Sequence, residues 1–177
     1  MVGTYRLQAG LLARDGLGYC SEREFEFVPI EAMRPQILEL GRACIHLRHR
    51  NFAVLILLWK GIASHALEHG ARYLVGCSSL TSTDAAVGAA AYAHLAHHLA
   101  PEPWRTTPLP AFGCALNGAP VAPPPIPRLL SAYLALGAAI CGPPAIDREF
   151  GAIDFLTWID ARSPLVVAMQ RRGQFTA

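Results

Sequence analysis

The sequence predicts an α/β domain, and three observations carry the prediction. Segments of strand and helix character alternate along the chain. Hydrophobic residues make up 53% of the 177 residues and charged residues 16%. No apolar run reaches the roughly 20 residues that span a bilayer. A chain of this length buries a substantial core, and one domain is expected over residues 1–177. The composition excludes a disordered or acidic-tail protein.

Residues 2–8, VGTYRLQ, have the β-branched and aromatic content of a first strand. The stretch 9–29 is turn-rich, and its SEREFEF segment has no clear assignment. Residues 37–46, ILELGRACIH, read as a second, mostly buried strand. Residues 51–69 are too long and apolar for a strand, so a helix is expected, with Lys60, Ser64 and Glu68 as its one wet stripe. Gly70 follows as its stop. Residues 72–77, RYLVGC, form a short buried strand. Thr83 or Asp84 then caps an alanine-rich helix that Pro101 ends. The proline-rich stretch 101–125 is expected to be a surface excursion without regular ladders. A helix over 126–136, a strand over 155–159 and a closing helix over 164–171 complete the pattern.

The formal net charge is +2, and no basic run or aromatic-basic stripe is present, so no nucleic-acid partner is expected. The five cysteines (20, 44, 77, 114 and 141) are widely spaced and form no CxxC pair. Together with a start that lacks signal-peptide character, they suggest a reduced, cytoplasmic protein.

The strand-to-helix junction is the most informative local feature. A helix N-terminus presents unpaired N–H groups and a positive dipole end, so anions settle there. His46, Arg48, Arg50, Asn51, Phe52 and Ala53 surround that end, and the two arginines suit phosphate. The plain reading of the arginines is a solvated loop pair. No GxxxxGK is present, so nucleotide hydrolysis has no support.

Glu39 stands inside an apolar strand and needs a partner or a cleft. Arg42 is the nearest basic residue. Residues three apart lie on opposite faces of a strand, so the two meet only where the strand bulges or splays. A carboxylate held there serves either as a general base or in a structural ion pair. His65-Ala-Leu-Glu68-His69 matches an HxxEH pattern, but a last-turn histidine pair suits the helix dipole, and no third ligand is placed. His94, His97 and His98 fall on one helix side and read as a wet face. Cys77 and Ser78 follow a strand without a G-x-S-x-G elbow. No metal site is expected.

Read together, the segments at 2–7, 39–46, 50–80 and 83–101, then 129–147 and the Asp147-x-x-Phe150-x-x-x-Asp154 spacing, resemble the carrier-protein-dependent branch of the GNAT superfamily. Within it, the ornithine-lipid N-acyltransferases are the nearest resemblance, and the ELGR segment is also similar to a strand of acyl-homoserine-lactone synthases. The resemblance implies a GNAT-like mixed sheet flanked by helices, shortened at its N-terminus relative to family members. It implies that two parallel strands splay near 37–46 and 72–78, with a pantetheine arm between them and its phosphate at the helix starting near 50–53. Glu39 and Arg42 would be catalytic, and Cys77, Ser78, Asp84 and Asp154 would meet the acceptor. No permanently bound cofactor is implied. The donor would be the phosphopantetheine thioester of acyl carrier protein, and ornithine the favoured acceptor amino acid.

Arg50-Asn-Phe-Ala53-Val-Leu55 lacks both glycines of the usual R/Q-x-x-G-x-G/A loop, which favours a carrier-bound donor over free coenzyme A. The rival readings are an acetyl-CoA-dependent acetyltransferase and a non-catalytic chain that only binds carrier protein. A second copy of the chain and peripheral contact with a membrane complete the expected partners.

Overall fold

A computed structural model describes residues 1–117 and 121–172. Its centre is a mixed sheet of six strands: β1 (Gly3–Ala9), β2 (Ile37–Ile45), β3 (Tyr73–Leu80), β4 (Ala139–Ile140), β5 (Ala145–Asp147) and β6 (Ala152–Asp160). The spatial order is β1-β2-β3-β6-β4, and β5 also pairs with β6. β2 and β3 run parallel, and the remaining pairs are antiparallel. Among the described residues, five α-helices accompany it: α1 (Gly10–Arg14), α2 (Phe52–Glu68), α3 (Ala85–His94), α4 (Arg128–Ala135) and α5 (Pro164–Arg172). The expected mixed sheet flanked by helices is present.

One face of the sheet packs Leu38, Leu74 and Ile159 against Trp59, Ile62 and Ala66 of α2 and Tyr133 of α4. The opposite face gathers Ile37, Val75, Leu156 and Trp158 with Tyr19, Phe25, Phe27 and Ile30 from the long β1–β2 connection. Strand alternation makes this division, because neighbouring residues point to opposite sides.

The departures from the sequence reading have local causes. β3 continues to Leu80, because β6 supplies a partner along its whole length, so Cys77 and Ser78 lie within the strand. α3 stops at His94, where the chain turns and Leu99 bridges Ile140 beside an Ala100 N–Ile140 O hydrogen bond of 2.9 Å. His94, His97 and His98 therefore do not share one helix face. α2 exposes Phe52, Leu57 and Leu67 as well as Lys60, Ser64 and Glu68, so its wet stripe is broader and more apolar than expected. It lies over the β1 edge of the sheet, where only Trp59, Ile62 and Ala66 are fully covered.

The proline-rich excursion is anchored in its first half. Trp104 stacks near Tyr73 and Trp158, and Thr106 is buried. The backbone of 107–109 pairs with the 24–26 segment through Glu26 N–Thr107 O (2.9 Å) and Leu109 N–Glu24 O (2.7 Å). Residues 118–120 of that stretch lie outside the described residues.

Candidate functional site

β2 and β3 pair only across Ile37–Glu39 and Tyr73–Val75. Beyond that point β2 stays with β1, and its register shifts between Thr4–Cys44 and Arg6–Gly41. The shift is a β-bulge that opposes Arg42 and Ala43 to Tyr5. Arg42 takes φ +49°, a left-handed conformation that arginine rarely adopts and that occurs at functional sites. Gly76 stands at the parting on the other strand. A Cβ there would lie 2.3 Å from the Leu40 carbonyl oxygen, so only glycine lets the two backbones approach and then diverge.

A cleft of about 400 Å³ opens at this parting, on the face away from α2. Glu39 and Gly41 of β2, Cys77 and Ser79 of β3, and Asp154 of β6 line its floor, as the period of two requires. Cys20, Ser21 and Glu24 of the β1–β2 connection form one wall, and Asp147 and Phe150 the other.

Glu39 is 2% exposed, and its carboxylate accepts four hydrogen bonds. Its donors are the Arg6 guanidinium, Cys20 N (3.0 Å), Ser21 N (2.8 Å) and the Ser21 hydroxyl (2.6 Å). Four is the full acceptor capacity of a carboxylate. The partner expected from sequence, Arg42, is corrected to Arg6: β1 lies beside β2, with Arg6 opposite Gly41 and hence diagonal to Glu39. Gly41 has no side chain to obstruct the guanidinium crossing it. Arg42 is exposed on the rim of the same cleft.

Glu24 faces this floor from the wall that also carries Cys20 and Ser21. Its Oε2 is buried without a hydrogen-bond partner. The ligand atoms of Glu24, Cys77 and Asp154 all lie within 4.8 Å of one another. Burial, reinforced by the neighbouring Asp154 and Asp147 charges, pushes the Glu24 carboxyl up to about 8. Asp154 is 5% exposed; burial raises its carboxyl too, while a hydrogen bond from the Ser79 hydroxyl opposes the rise. Burial and then the Glu24 charge hold the Cys77 thiol well above its usual range, which keeps it from the thiolate form that a nucleophile or metal ligand needs.

The other expected site residues divide between three places. Ser78 points to the far face and meets the Thr157 hydroxyl at 3.3 Å, so it does not line the cleft with Cys77. Asp84 also lies outside the cleft; it caps α3 through Ala86 N at 2.9 Å. His46, Arg48, Arg50, Asn51, Phe52 and Ala53 gather at the exposed N-terminus of α2, on the sheet end where β2 and β3 part. There the Asn51 side chain accepts from Val54 N, His46 from Arg48 N, and Arg50 donates to Ile45 O. The His65, Glu68 and His69 donor atoms also come within 4.8 Å of one another, at the far end of α2. The sequence reading missed Arg6, Ser21, Glu24 and Ser79, and it quoted Asp147 only as part of a spacing, without a site role. The one available signal was the density of carboxylates in SEREFEF.

Comparison with known proteins gives three findings. The model of the acetyltransferase (GNAT) domain matches residues 1–60. L-ornithine N(alpha)-acyltransferase of Rhodobacter capsulatus is 32% identical over 92% of this chain and 65% of its own length. The proteins of that name from Brucella abortus and Agrobacterium fabrum are 32% and 30% identical, over 58% and 59% of their own lengths. The chain thus spans less than two thirds of these curated relatives. Among solved structures, the CoA-dependent acyl-homoserine lactone synthase BjaI aligns with TM-score 0.50 over 99% of this chain and 60% of its own, at 13% identity. MesI, of the same description, gives TM-score 0.50 at 14% identity, over 64% of its chain. These two likenesses concern the fold. No described helix is long and apolar enough to cross a membrane.

Proposed function

We propose that this chain is a GNAT-type N-acyltransferase like the L-ornithine N(alpha)-acyltransferases to which it is similar. It moves a fatty acyl group from a thioester to the α-amine of ornithine or a similar amino acid. The observation that carries this reading is the acid-lined cleft at the parting of β2 and β3. A thioester arm entering between the strands would bring its carbonyl beside a pocket whose carboxyl groups suit a cationic amine. Backbone N–H groups freed where the strands part would polarise that carbonyl.

The donor side of the reading rests on the α2 N-terminus. Arg48 and Arg50 are exposed there, next to the unpaired N–H groups of the first helical turn. That arrangement suits a phosphopantetheine phosphate and the acidic surface of a carrier protein. The missing loop glycines favour the carrier-bound donor over free coenzyme A. Product formation in ornithine-lipid synthesis follows from the same donor and acceptor.

The test is product analysis by mass spectrometry with long-chain 3-hydroxyacyl carrier protein and a mixture of amino acids, with acyl-CoA in parallel. N-acyl ornithine formed from the carrier thioester supports the reading. Product only from acyl-CoA would reassign the donor. Carrier binding without any amide would leave a binding role.

A further inference from the structure

Acyl transfer to an amino acid needs a proton acceptor, because the amine arrives as an ammonium and only its free base attacks. Glu39 is badly placed for that task. Every acceptor position of its carboxylate is filled, two of them by fixed backbone N–H groups, and it is 2% exposed. Taking a proton would require breaking one of those bonds inside the core. Glu24 is the opposite case. It lines the cleft, carries a buried Oε2 with no partner, and stands beside Asp154. Its backbone is fixed from behind, since its carbonyl accepts from Leu109 N at 2.7 Å.

Resting on the acyl-transfer reading, we propose that the Glu24–Asp154 carboxyl pair binds the acceptor ammonium and takes its proton, and that Glu39 is a positioning residue. Glu39 holds Arg6 and the 20–21 turn, and so holds the wall that carries Glu24.

The proton account closes. One ammonium proton passes to the ionised pair, and the free amine attacks the thioester carbonyl. A C–N bond forms, the C–S bond breaks, and the second nitrogen proton leaves with the departing sulfur. The pair then returns its proton to solvent through the open cleft.

Two carboxylates in contact resist losing both protons, so the pair titrates as a unit. The groups that face it are Arg6 and Glu39 across the floor, Cys77 on β3, and Asp147 and Cys20 on the walls, with Arg42 on the rim. Burial first, and then the charges of Asp154 and Asp147, hold the Glu24 carboxyl at about 8, close to the usual range of an α-amine. A base matched to the proton it takes is the efficient arrangement.

The experiment uses the full chain, carrier thioester and ornithine. In Glu24→Gln, kcat should fall about 10²–10⁴-fold, the usual contribution of a general base, with a smaller change in KM. Added formate should restore part of the activity of Glu24→Ala. In Asp154→Asn, the acid limb of kcat/KM should move to lower pH, because the like charge beside Glu24 is gone. In Glu39→Gln, the acid limb should move less than in Asp154→Asn, because the Glu39 charge is the weaker influence on Glu24. Wild-type kcat in Glu24→Gln from pH 6 to 9, an unmoved limb in Asp154→Asn, or no formate response would each overturn the proposal. Absence of amide from the wild-type chain itself would overturn the acyl-transfer reading and this inference with it.

Discussion

The two sides of β3 differ in how they are joined. Toward β6 the whole of Tyr73–Leu80 is paired in continuous register with Ile153–Asp160. Toward β2 only Tyr73–Val75 is paired, and the strands then part. The continuous ladder is also the better covered one, with Phe155, Leu156 and Ile153 essentially inaccessible. The broken ladder carries the polar groups: Glu39, Cys77, Ser79 and Asp154 surround its open end. The sheet therefore stabilises itself on one side of β3 and exposes usable backbone and carboxyl chemistry on the other.

The largest expected effect would break the first half of this contrast. Phe155→Ala should cost about 3–5 kcal/mol of unfolding free energy, the usual loss for a fully buried phenylalanine, read as a lowered urea midpoint. Glu39→Gln attacks the opposite side of β3. It removes the charge that Arg6 and the 20–21 turn depend on and should cost about 2 kcal/mol, since Arg6 is itself one-third exposed. An unchanged midpoint would mean that the polar hub stabilises nothing.

Gly76→Ala tests the parting itself. The new Cβ meets the Leu40 carbonyl, so a cost of about 1–3 kcal/mol is expected, together with weaker binding of the thioester donor. Equal donor binding in the variant would show that the gap has slack. A pH dependence tests the acid side of the cleft. The Glu24 carboxyl lies near 8 in the folded chain, against its ordinary value of 4.5. Between these values the folded state holds more protons than the unfolded one. Stability should therefore fall as pH rises from about 4.5 to about 8, and Glu24→Gln should flatten that fall in melting temperature.

The elements that matter most were legible because they are long and regular. The apolar run of α2, the Asp84 cap of α3 and the β-rich segments at 3–9 and 37–45 follow from local preference and periodicity. The short pieces α1, β4 and β5 were not legible, since two to five residues establish no period. Glu39 could be singled out by its burial among apolar neighbours, and Arg48 and Arg50 by their place before a helix. The pairing of Glu39 with Arg6 could not be read, because it joins residues 33 apart across two strands. Nor could the position of Glu24, which is fixed by backbone bonds to 107–109 in a stretch that composition alone marks as irregular.

By itself, then, the sequence determined the alternation of strands and helices, the charged helix entrance and the carboxylate that had to be satisfied. Those follow from local sterics, capping and the cost of burying charge, all of which act within a few residues. Only the tertiary structure decided which carboxylate is saturated and which is free. That choice depends on which distant N–H and guanidinium groups the sheet brings to Glu39, and on which acids it leaves facing one another across the cleft.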